Sequence, residues 1–203
     1  MPRTEEQNKL IKDRRRAKIV RAAIRVFSEK GYDKVAVDDI TKAAKCSHGL
    51  FYHYFESKAE IMIAIFNEII VPGDYLPPCK KALEARSLAG IKMMMNYFEK
   101  TWNAGPSIFN VSSLACQLNV IAAVPEELQT LARDYNVKKT FETLIAQGQQ
   151  ERKIIPGDPA EIALGITDIT TANFLRLIFK GKKTPIVSSD VIYGMMLINE
   201  RVD

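Results

Sequence analysis

The sequence predicts an all-α protein, and three observations lead to that expectation. Apolar residues recur at helical spacing along most of the chain. Prolines and glycines cluster between these stretches, above all in residues 72–78 and 154–159, where they end helices. No stretch alternates apolar and polar residues in the manner of a half-buried strand. We expect about nine helices in two units, residues 1–60 and 61–203.

A long first helix is expected to run from about residue 8 to Lys30. Its apolar stripe has helical spacing, and Gly31 is suited to end it as a C-cap. The stripe consists of Ile19, Ala22, Ala23, Val26 and Phe27.

Two short helices joined by a tight turn are predicted next. Residues 37–44 carry apolar residues at helical spacing and two acids in the first turn, where the helix dipole favours negative charge. A break follows at Lys45, and Ser47 is suited to cap a second helix that runs through Tyr54. This geometry is that of a helix-turn-helix, whose second helix enters the major groove of DNA.

The second of these helices is unusually polar and aromatic. Its side chains are of types that bind phosphates, stack, or read base edges. The alternative is a surface turn with ordinary tyrosine packing, because short helix-turn-helix patterns are easily mimicked. The candidate DNA-binding residues in this segment are Ser47, His48, Gly49, Tyr52, His53, Tyr54 and Lys58.

The stretch from Arg15 to Ile61 resembles the DNA-binding domain of the tetracycline-repressor (TetR) family. The resemblance covers roughly a quarter of the chain, and its motif is highly specific. It rests on Ala22, Ala23, Phe27, Gly31, Tyr32, Val37, Ile40, Ala43, Ala44, Ser47, Gly49, Tyr52, Tyr54, Phe55 and Lys58.

This resemblance implies a three-helix DNA-binding domain in residues 1–60 and a helical effector-binding and dimerisation domain in residues 61–203. It further implies a homodimeric repressor that a small molecule releases from a palindromic double-stranded operator. Two positions depart from the family pattern. Ala36 replaces a threonine, and Lys45 replaces a glycine, where a left-handed backbone costs a non-glycine residue about 1 kcal/mol.

The side-chain types of the second helix indicate which residue makes which DNA contact. His48 and His53 are expected to read base edges, Tyr52 and Tyr54 to meet phosphates or thymine methyls, and Lys58 to bind a phosphate. Gly49 would allow a close backbone approach. The arginines at positions 14–16 either form a solvated face or bind phosphate, and Arg16 is our candidate.

The charge distribution agrees with a DNA-binding first unit. Residues 1–60 hold 14 basic and 9 acidic side chains, whereas the rest of the chain holds 15 of each. The whole net charge of +5 therefore lies in the first unit, as expected for a phosphate-binding domain beside a neutral one.

A cavity between helices of the second unit is implied by the resemblance, for an apolar or amphipathic effector. Plain core packing is the alternative for most of its candidate residues. Asp168 either binds ligand, pairs across a dimer, or faces solvent at a helix edge. The candidates are Met94, Met95, Phe98, Trp102, Phe109, Tyr135, Asp168 and Asn173.

The last two helices, at about 158–179 and 188–201, are the expected dimer interface. In the family they pair with their copies to form a four-helix bundle. The interface candidates in this chain are Ile192, Met195, Met196 and Asn199.

Other classes of protein are disfavoured by the sequence. It offers no catalytic triad, phosphate loop or paired carboxylates for an enzyme, and we expect neither metal nor cofactor. An adaptor that has lost DNA binding is the remaining alternative, supported only by Ala36 and Lys45. No apolar run reaches the ~18 residues of a membrane span, and no signal peptide is evident, so we expect a cytoplasmic protein without membrane contact.

Overall fold

The computed structural model describes residues 4–118 and 124–198. Within these ranges the regular secondary structure is helical, apart from one isolated β-bridge between Ile154 and Leu197. The predicted all-α class is confirmed. The helices are α1 (Glu5–Lys30), α2 (Val37–Ala44), α3 (His48–Tyr52), α4 (Lys58–Ile65), α5 (Cys79–Ala85), α6 (Ser87–Asn103), α7 (Pro106–Gln117), α8 (Glu126–Asp134), α9 (Val137–Gln150), α10 (Pro159–Lys180) and α11 (Ser189–Gly194).

Capping explains the ends of the first helices. Thr4 accepts a hydrogen bond from the Gln7 amide, and the Gln7 side chain accepts one from the Thr4 amide, so α1 starts earlier than predicted. Gly31 ends α1 at a φ of 78°, a conformation that favours glycine. A 3₁₀ turn, Tyr32–Lys34, then leads to α2, whose bounds are those predicted.

Two helical stretches are each divided, so the described residues hold eleven α-helices where about nine were expected. The stretch of residues 79–103 breaks at Arg86 and Ser87, which both have positive φ. The Gln147 side chain accepts a hydrogen bond from the Ser87 amide at 2.8 Å, and this contact holds the break. The stretch of residues 126–150 breaks before Asn136, whose side chain caps α9 by accepting from the Lys139 amide.

The buried residues form two clusters that do not divide at residue 60. The first cluster contains α1 to α4, but it also includes Val111, Leu114 and Leu118 from the α7 segment. The second cluster joins α6, α9 and α10 with part of α11. Helix α7 therefore belongs to both units. It packs on α1 and also on α6.

Helix α4 continues into a π-helical turn, Phe66–Ile70, and the chain then turns through the predicted loop to α5. The apolar side of α4 and of this turn is fully buried. A π-helical turn inserts an extra residue into the helix and often marks a functional position.

Helix α10 is long and apolar enough to cross a membrane by length and composition, although only a third of its most apolar window is buried within the chain. This differs from the sequence expectation that no apolar run reaches the length of a membrane span. A solvent-exposed apolar side is equally suited to packing against another protein helix.

Gly90 provides a test of the packing between α5 and α6. A Cβ at this position would lie 2.3 Å from the Ala82 carbonyl oxygen and 2.7 Å from a Leu144 methyl, so backbone would have to move. We expect Gly90→Ala to lower the free energy of unfolding by about 1–3 kcal/mol, measured by chemical denaturation. Gly49→Ala is the matched control, because no atom lies within 4 Å of its Cβ. It should be neutral or stabilising by up to about 1 kcal/mol. Equal destabilisation by both would contradict this explanation.

Candidate nucleic-acid interface and ligand cavity

The turn between α2 and α3 has the strained geometry that the sequence implied. Lys45 adopts a left-handed conformation, with φ 50° and ψ 55°. The turn is closed by backbone bonds from the Lys45 amide to the Lys42 carbonyl and from the Cys46 amide to the Thr41 carbonyl, at 3.1 and 3.0 Å. The lysine at the family's glycine position therefore leaves the motif intact.

Ala36 has no side chain that can cap α2, but the reciprocal half of a capping box is formed from within the helix. The Asp39 carboxylate accepts from the Ala36 amide at 3.0 Å and from the Lys30 ammonium at 2.6 Å. These two bonds, with Lys30 the larger cause, hold the pKa of Asp39 below its ordinary value. The start of α2 is thus tied to the end of α1 by a charge-assisted bond.

Helix α3 is anchored through its aromatic side. Phe51 and Phe55 are buried at 0% and 1% exposure, and their ring centroids lie 5.9 Å apart. Ser47 caps the helix by accepting from the Leu50 amide at 3.1 Å. Anchoring this side leaves the other side in solvent, where Tyr52 is 53% exposed. The exposed side also presents His48, Gly49 and His53.

His48 is held by the preceding helix. Its Nε2 contacts the Asp38 carboxylate, which also accepts from the Lys42 ammonium at 3.1 Å. Lys42 first, and His48 second, lower the pKa of Asp38. His53 instead packs edge-on against the Tyr54 ring, with centroids 4.9 Å apart.

Two predicted DNA-binding side chains have structural partners that the sequence did not reveal. The Tyr54 hydroxyl donates to the Lys12 carbonyl oxygen at 3.1 Å and ties α3 to α1. The Lys58 ammonium donates to the Tyr32 carbonyl oxygen at 2.9 Å and lies 4.3 Å from the centroid of the Tyr32 ring. Lysine has three N–H donors, so this bond leaves others available for a phosphate.

Arg16 is also engaged within the chain. Its guanidinium forms a two-point ion pair with the Glu68 carboxylate at 2.7 and 2.6 Å and lies 5.1 Å from the centroid of the Phe55 ring. The pair joins α1 to the π-helical turn after α4. Its partner lies 52 residues away, and no local pattern indicates such a pair.

A cavity of about 250 Å³ lies between α10, the start of α9, and single residues of α6 and α7. It contains Phe98 and Asp168 from the predicted ligand-binding set. Sequence reasoning missed most of the lining, which includes small hydroxyl side chains of α10. The lining consists of Phe98, Cys116, Asn136, Val137, Lys138, Leu164, Thr167, Asp168, Thr170, Thr171 and Phe174.

Most other predicted ligand-binding residues are core residues. Met94, Met95, Trp102 and Phe109 are at most 3% exposed and do not line this cavity. Asn173 is likewise structural, because its amide donates to the Val187 carbonyl at 2.7 Å and accepts from the Val187 amide at 3.1 Å. Tyr135 packs between both clusters rather than in the cavity.

Trp102 nevertheless lies next to the cavity, separated from it only by two phenyl rings. Its ring stacks on Phe98 at 5.9 Å and meets Phe174 edge-on at 6.2 Å, and both phenyl rings line the cavity. Its buried indole N–H has no hydrogen-bond partner among the residues that the structure describes. A buried unsatisfied donor is uncommon in folded proteins.

Cys116 also lines the cavity, and burial raises the pKa of its thiol to about 12. The thiol is therefore protonated at neutral pH, and it contacts the Tyr97 hydroxyl at 3.8 Å. A protonated thiol is a poor nucleophile and is slow to oxidise. This favours a packing role over redox sensing for Cys116.

The predicted dimer interface needs correction at two residues. Ile192 and Met196 are 1% and 2% exposed and belong to the chain's own core, so they offer no surface to a partner. Met195 is 59% exposed, and Asn199 lies outside the described residues. The other exposed large apolar residues of the last two helices are Leu164, Leu175, Phe179 and Val191.

Comparisons with known proteins cover both the motif and a longer stretch. Residues 19–65 match the family described as bacterial regulatory proteins, tetR family. The transcriptional regulator AcuR of Cereibacter sphaeroides is 47% identical over 47 residues, which is 23% of this chain but only 22% of that protein. The HTH-type transcriptional repressor DhaR of Mycobacterium sp. strain GP1 is 31% identical over 143 residues, 68% of this chain and 69% of that protein.

The fold agrees with a solved structure of the regulator AibR in complex with isovaleryl coenzyme A and operator DNA. The two chains superpose with a TM-score of 0.59 and 18% identity, over 89% of this chain and 94% of that one. On the match to DhaR, which extends well beyond the helix-turn-helix, the chain belongs to the tetR family of bacterial regulatory proteins.

Proposed function

We propose that this chain is a homodimeric transcriptional repressor that binds a palindromic operator through α3 and is released by a small apolar or amphipathic effector. The observation that carries the proposal is the anchored α3, whose exposed side presents His48, Tyr52 and His53 beside a cap at Ser47. Such a helix can enter the major groove while its other side holds it to the protein. The protein would act in the cytoplasm and would not be an enzyme.

Within residues 1–60, we assign base contacts to His48 and His53 and backbone contacts to Ser47, Tyr52 and Lys58. Gly49 supports these contacts because no atom lies within 4 Å above it, so DNA can approach the backbone closely. Tyr54 acts more as a brace between α3 and α1, given its bond to the Lys12 carbonyl.

We place the dimer interface on the exposed apolar side of α10, with α11 contributing. Leu164, Leu175 and Phe179 are 46%, 45% and 72% exposed, although they lie on the most apolar helix of the C-terminal unit. Burying these residues against a second copy would be favourable by roughly 25 cal/mol per Å² of apolar surface. A two-fold dimer would then present two copies of α3 to a palindrome.

The effector is proposed to bind in the cavity lined by Phe98 and Phe174. Small hydroxyl side chains and Asp168 provide a few polar groups in an apolar wall, as is usual for ligand sites. Helix α7 couples this site to the DNA-binding unit, because Cys116 lines the cavity while the neighbouring Gln117 side chain donates to the Ser28 carbonyl of α1 at 3.3 Å. An effector that prefers one position of α7 would thereby shift the position of α1.

The decisive experiment is fluorescence anisotropy of the purified protein with DNA from upstream of its own gene. Specific binding, retained against excess unrelated DNA, supports the repressor proposal. Binding that depends only on salt and not on sequence would support the alternative of a degenerate helix-turn-helix.

The two histidines should control base preference. His48→Ala and His53→Ala should each lose about 1–3 kcal/mol of discrimination between operator and mismatched sites, measured by competition anisotropy. Lys58→Gln is the comparison, because a phosphate contact carries no sequence information. It should weaken binding to all sequences alike and reduce the salt slope by about one unit. If all three variants keep the wild-type sequence profile, the assignment of base contacts to the histidines is wrong.

The dimer should depend on the exposed side of α10. Leu175→Glu and Phe179→Glu should each convert the dimer to a monomer at micromolar concentration in sedimentation experiments, because burying an unpaired charge is costly. Operator affinity should fall at the same time. Leu83→Glu is the control, because Leu83 is an exposed leucine on α5, at 37% exposure. A dimer that survives both α10 substitutions would place the interface elsewhere.

The effector cavity can be tested by filling it. Thr167→Phe should leave operator binding unchanged and abolish release by any compound that releases the wild type, because the phenyl ring takes up the cavity. Binding of such a compound should also shift Trp102 emission through the adjoining Phe98 and Phe174 rings. A releasing compound that leaves the emission unchanged and still acts on Thr167→Phe must bind at another site.

A further inference from the structure

A second opening lies between the two units and shares no lining residue with the effector cavity. Its lining comes from one side of α1 and the first two turns of α7, together with Ala43, Ile69 and Tyr75. We call it the interdomain groove. Its volume is about 610 Å³, within the range of small-molecule sites. It is lined by Lys18, Arg21, Ala22, Ile24, Arg25, Ala43, Ile69, Tyr75, Pro106, Ser107, Ile108, Asn110 and Val111.

One wall of the groove is strongly cationic. Lys18, Arg21 and Arg25 recur along α1 at helical spacing, so their side chains share one side of the helix. No acidic residue is among the lining residues. Within the described part of the chain, Lys18 and Arg21 form no ion pair, and Arg25 has only a 3.6 Å contact with Glu29. Lys18 and Arg21 therefore stand together without an acidic partner, and Arg25 adds a third positive charge that Glu29 compensates only weakly.

The opposite wall is neutral and apolar. Helix α7 carries no charged residue, and its first turn has neither an acid nor a side-chain cap. Val111 and Ile24 are each 7% exposed at the base of the groove, whereas Ile108 is 47% exposed at its edge. Water therefore hydrates the three cations of one wall well and the exposed Ile108 side chain of the other wall poorly.

We propose that the interdomain groove binds an amphipathic anion, a carboxylate or phosphate monoester with an aliphatic chain. The headgroup would bind Lys18, Arg21 and Arg25, and the chain would pack on Ile69, Ile108 and Val111. Charge complementarity selects the anion, since the groove offers three positive groups and no negative one. The site shares no lining residue with the effector cavity and does not depend on operator binding.

A ligand bound in the interdomain groove would stabilise one arrangement of the two units relative to each other. Its cations belong to α1 and its apolar wall to α7, so the ligand would bridge them. A ligand that fits this spacing stabilises the arrangement of α1 and α7 seen in the structure and opposes any other. The exposed residues of α3, including His48 and Tyr52, are not part of the groove.

Calorimetric titration of the full-length protein tests the proposal with decanoate, decyl phosphate and decanol as probes. We expect one anion to bind per chain at least tenfold more tightly than decanol. Comparing decanoate with decyl phosphate identifies the preferred headgroup. The double variant Lys18→Gln with Arg21→Gln should lose about 100-fold in anion affinity, roughly tenfold for each charge-assisted bond, and should keep its weak decanol binding.

Matched controls distinguish specific anion binding in the groove from non-specific attraction of anions to the basic unit. Arg14→Gln with Arg15→Gln removes the same charge from exposed positions of α1 outside the groove and should change anion affinity by less than twofold. Ile108→Glu should abolish anion binding by placing an acid opposite the cations. Thr167→Phe, which fills the effector cavity, should have no effect.

Three results would overturn the proposal. Equal loss in the two double variants would mean that the attraction is general to the basic unit. Loss in Thr167→Phe alone would mean that the anions enter the effector cavity. No anion binding to the wild type, with reduced DNA affinity in the Lys18 and Arg21 variant, would mean that these cations serve DNA.

Discussion

The burial of Phe51 and Phe55 is the constraint on which the DNA-binding surface depends. Helix α3 has only five residues, too few to be stable alone, because helix nucleation is unfavourable. Its conformation is imposed by two phenyl rings buried in the first core cluster and by the cap at Ser47. The left-handed Lys45 is tolerated for the same reason, since the packing on either side of the turn outweighs a cost of about 1 kcal/mol.

Helix α7 relates the two units. It has no charge, and it is buried on two sides, against α1 through Val111 and Leu114 and against the second cluster through Phe109. The effector cavity and the interdomain groove both use it, the first through Cys116 and the second through Ile108. Where α7 is buried against α1, the packing is close, and we expect a shift of α7 there to be passed on to α1. A boundary at residue 60 therefore describes the sequence better than the packing.

The sequence was informative where the determinants are local. The bounds of α2, the cap at Ser47, the C-cap at Gly31 and the left-handed Lys45 follow from neighbouring residues. It failed where a distant partner decides. The break at Ser87 depends on Gln147. The partners of Arg16 and Lys58 lie 52 and 26 residues away along the chain. Ile192 was assigned to the dimer interface because the sequence does not show the core residues of the same chain that bury it. The lining of the cavity at Phe98 could not be derived for a related reason: periodicity identifies the buried side of α6 but not which buried residues border a gap.

In the unbound DNA-binding unit, three candidate DNA-binding side chains already have partners within the chain, and these partners affect how the unit recognises DNA. Asp38 holds His48, Glu68 holds Arg16, and the Tyr32 carbonyl holds Lys58. The first two pairs are substantially exposed to solvent, and exposed ion pairs stabilise proteins by only about 0–1 kcal/mol. Exchanging such a partner for a phosphate or a base edge therefore costs little, whereas a base contact contributes about 1–3 kcal/mol of discrimination. The intramolecular pairs keep the side chains ordered before binding without making them unavailable. Lys58 differs, because its bond to a backbone carbonyl and its contact with the Tyr32 ring also support the fold, so its effect on DNA affinity and its effect on stability have to be measured together.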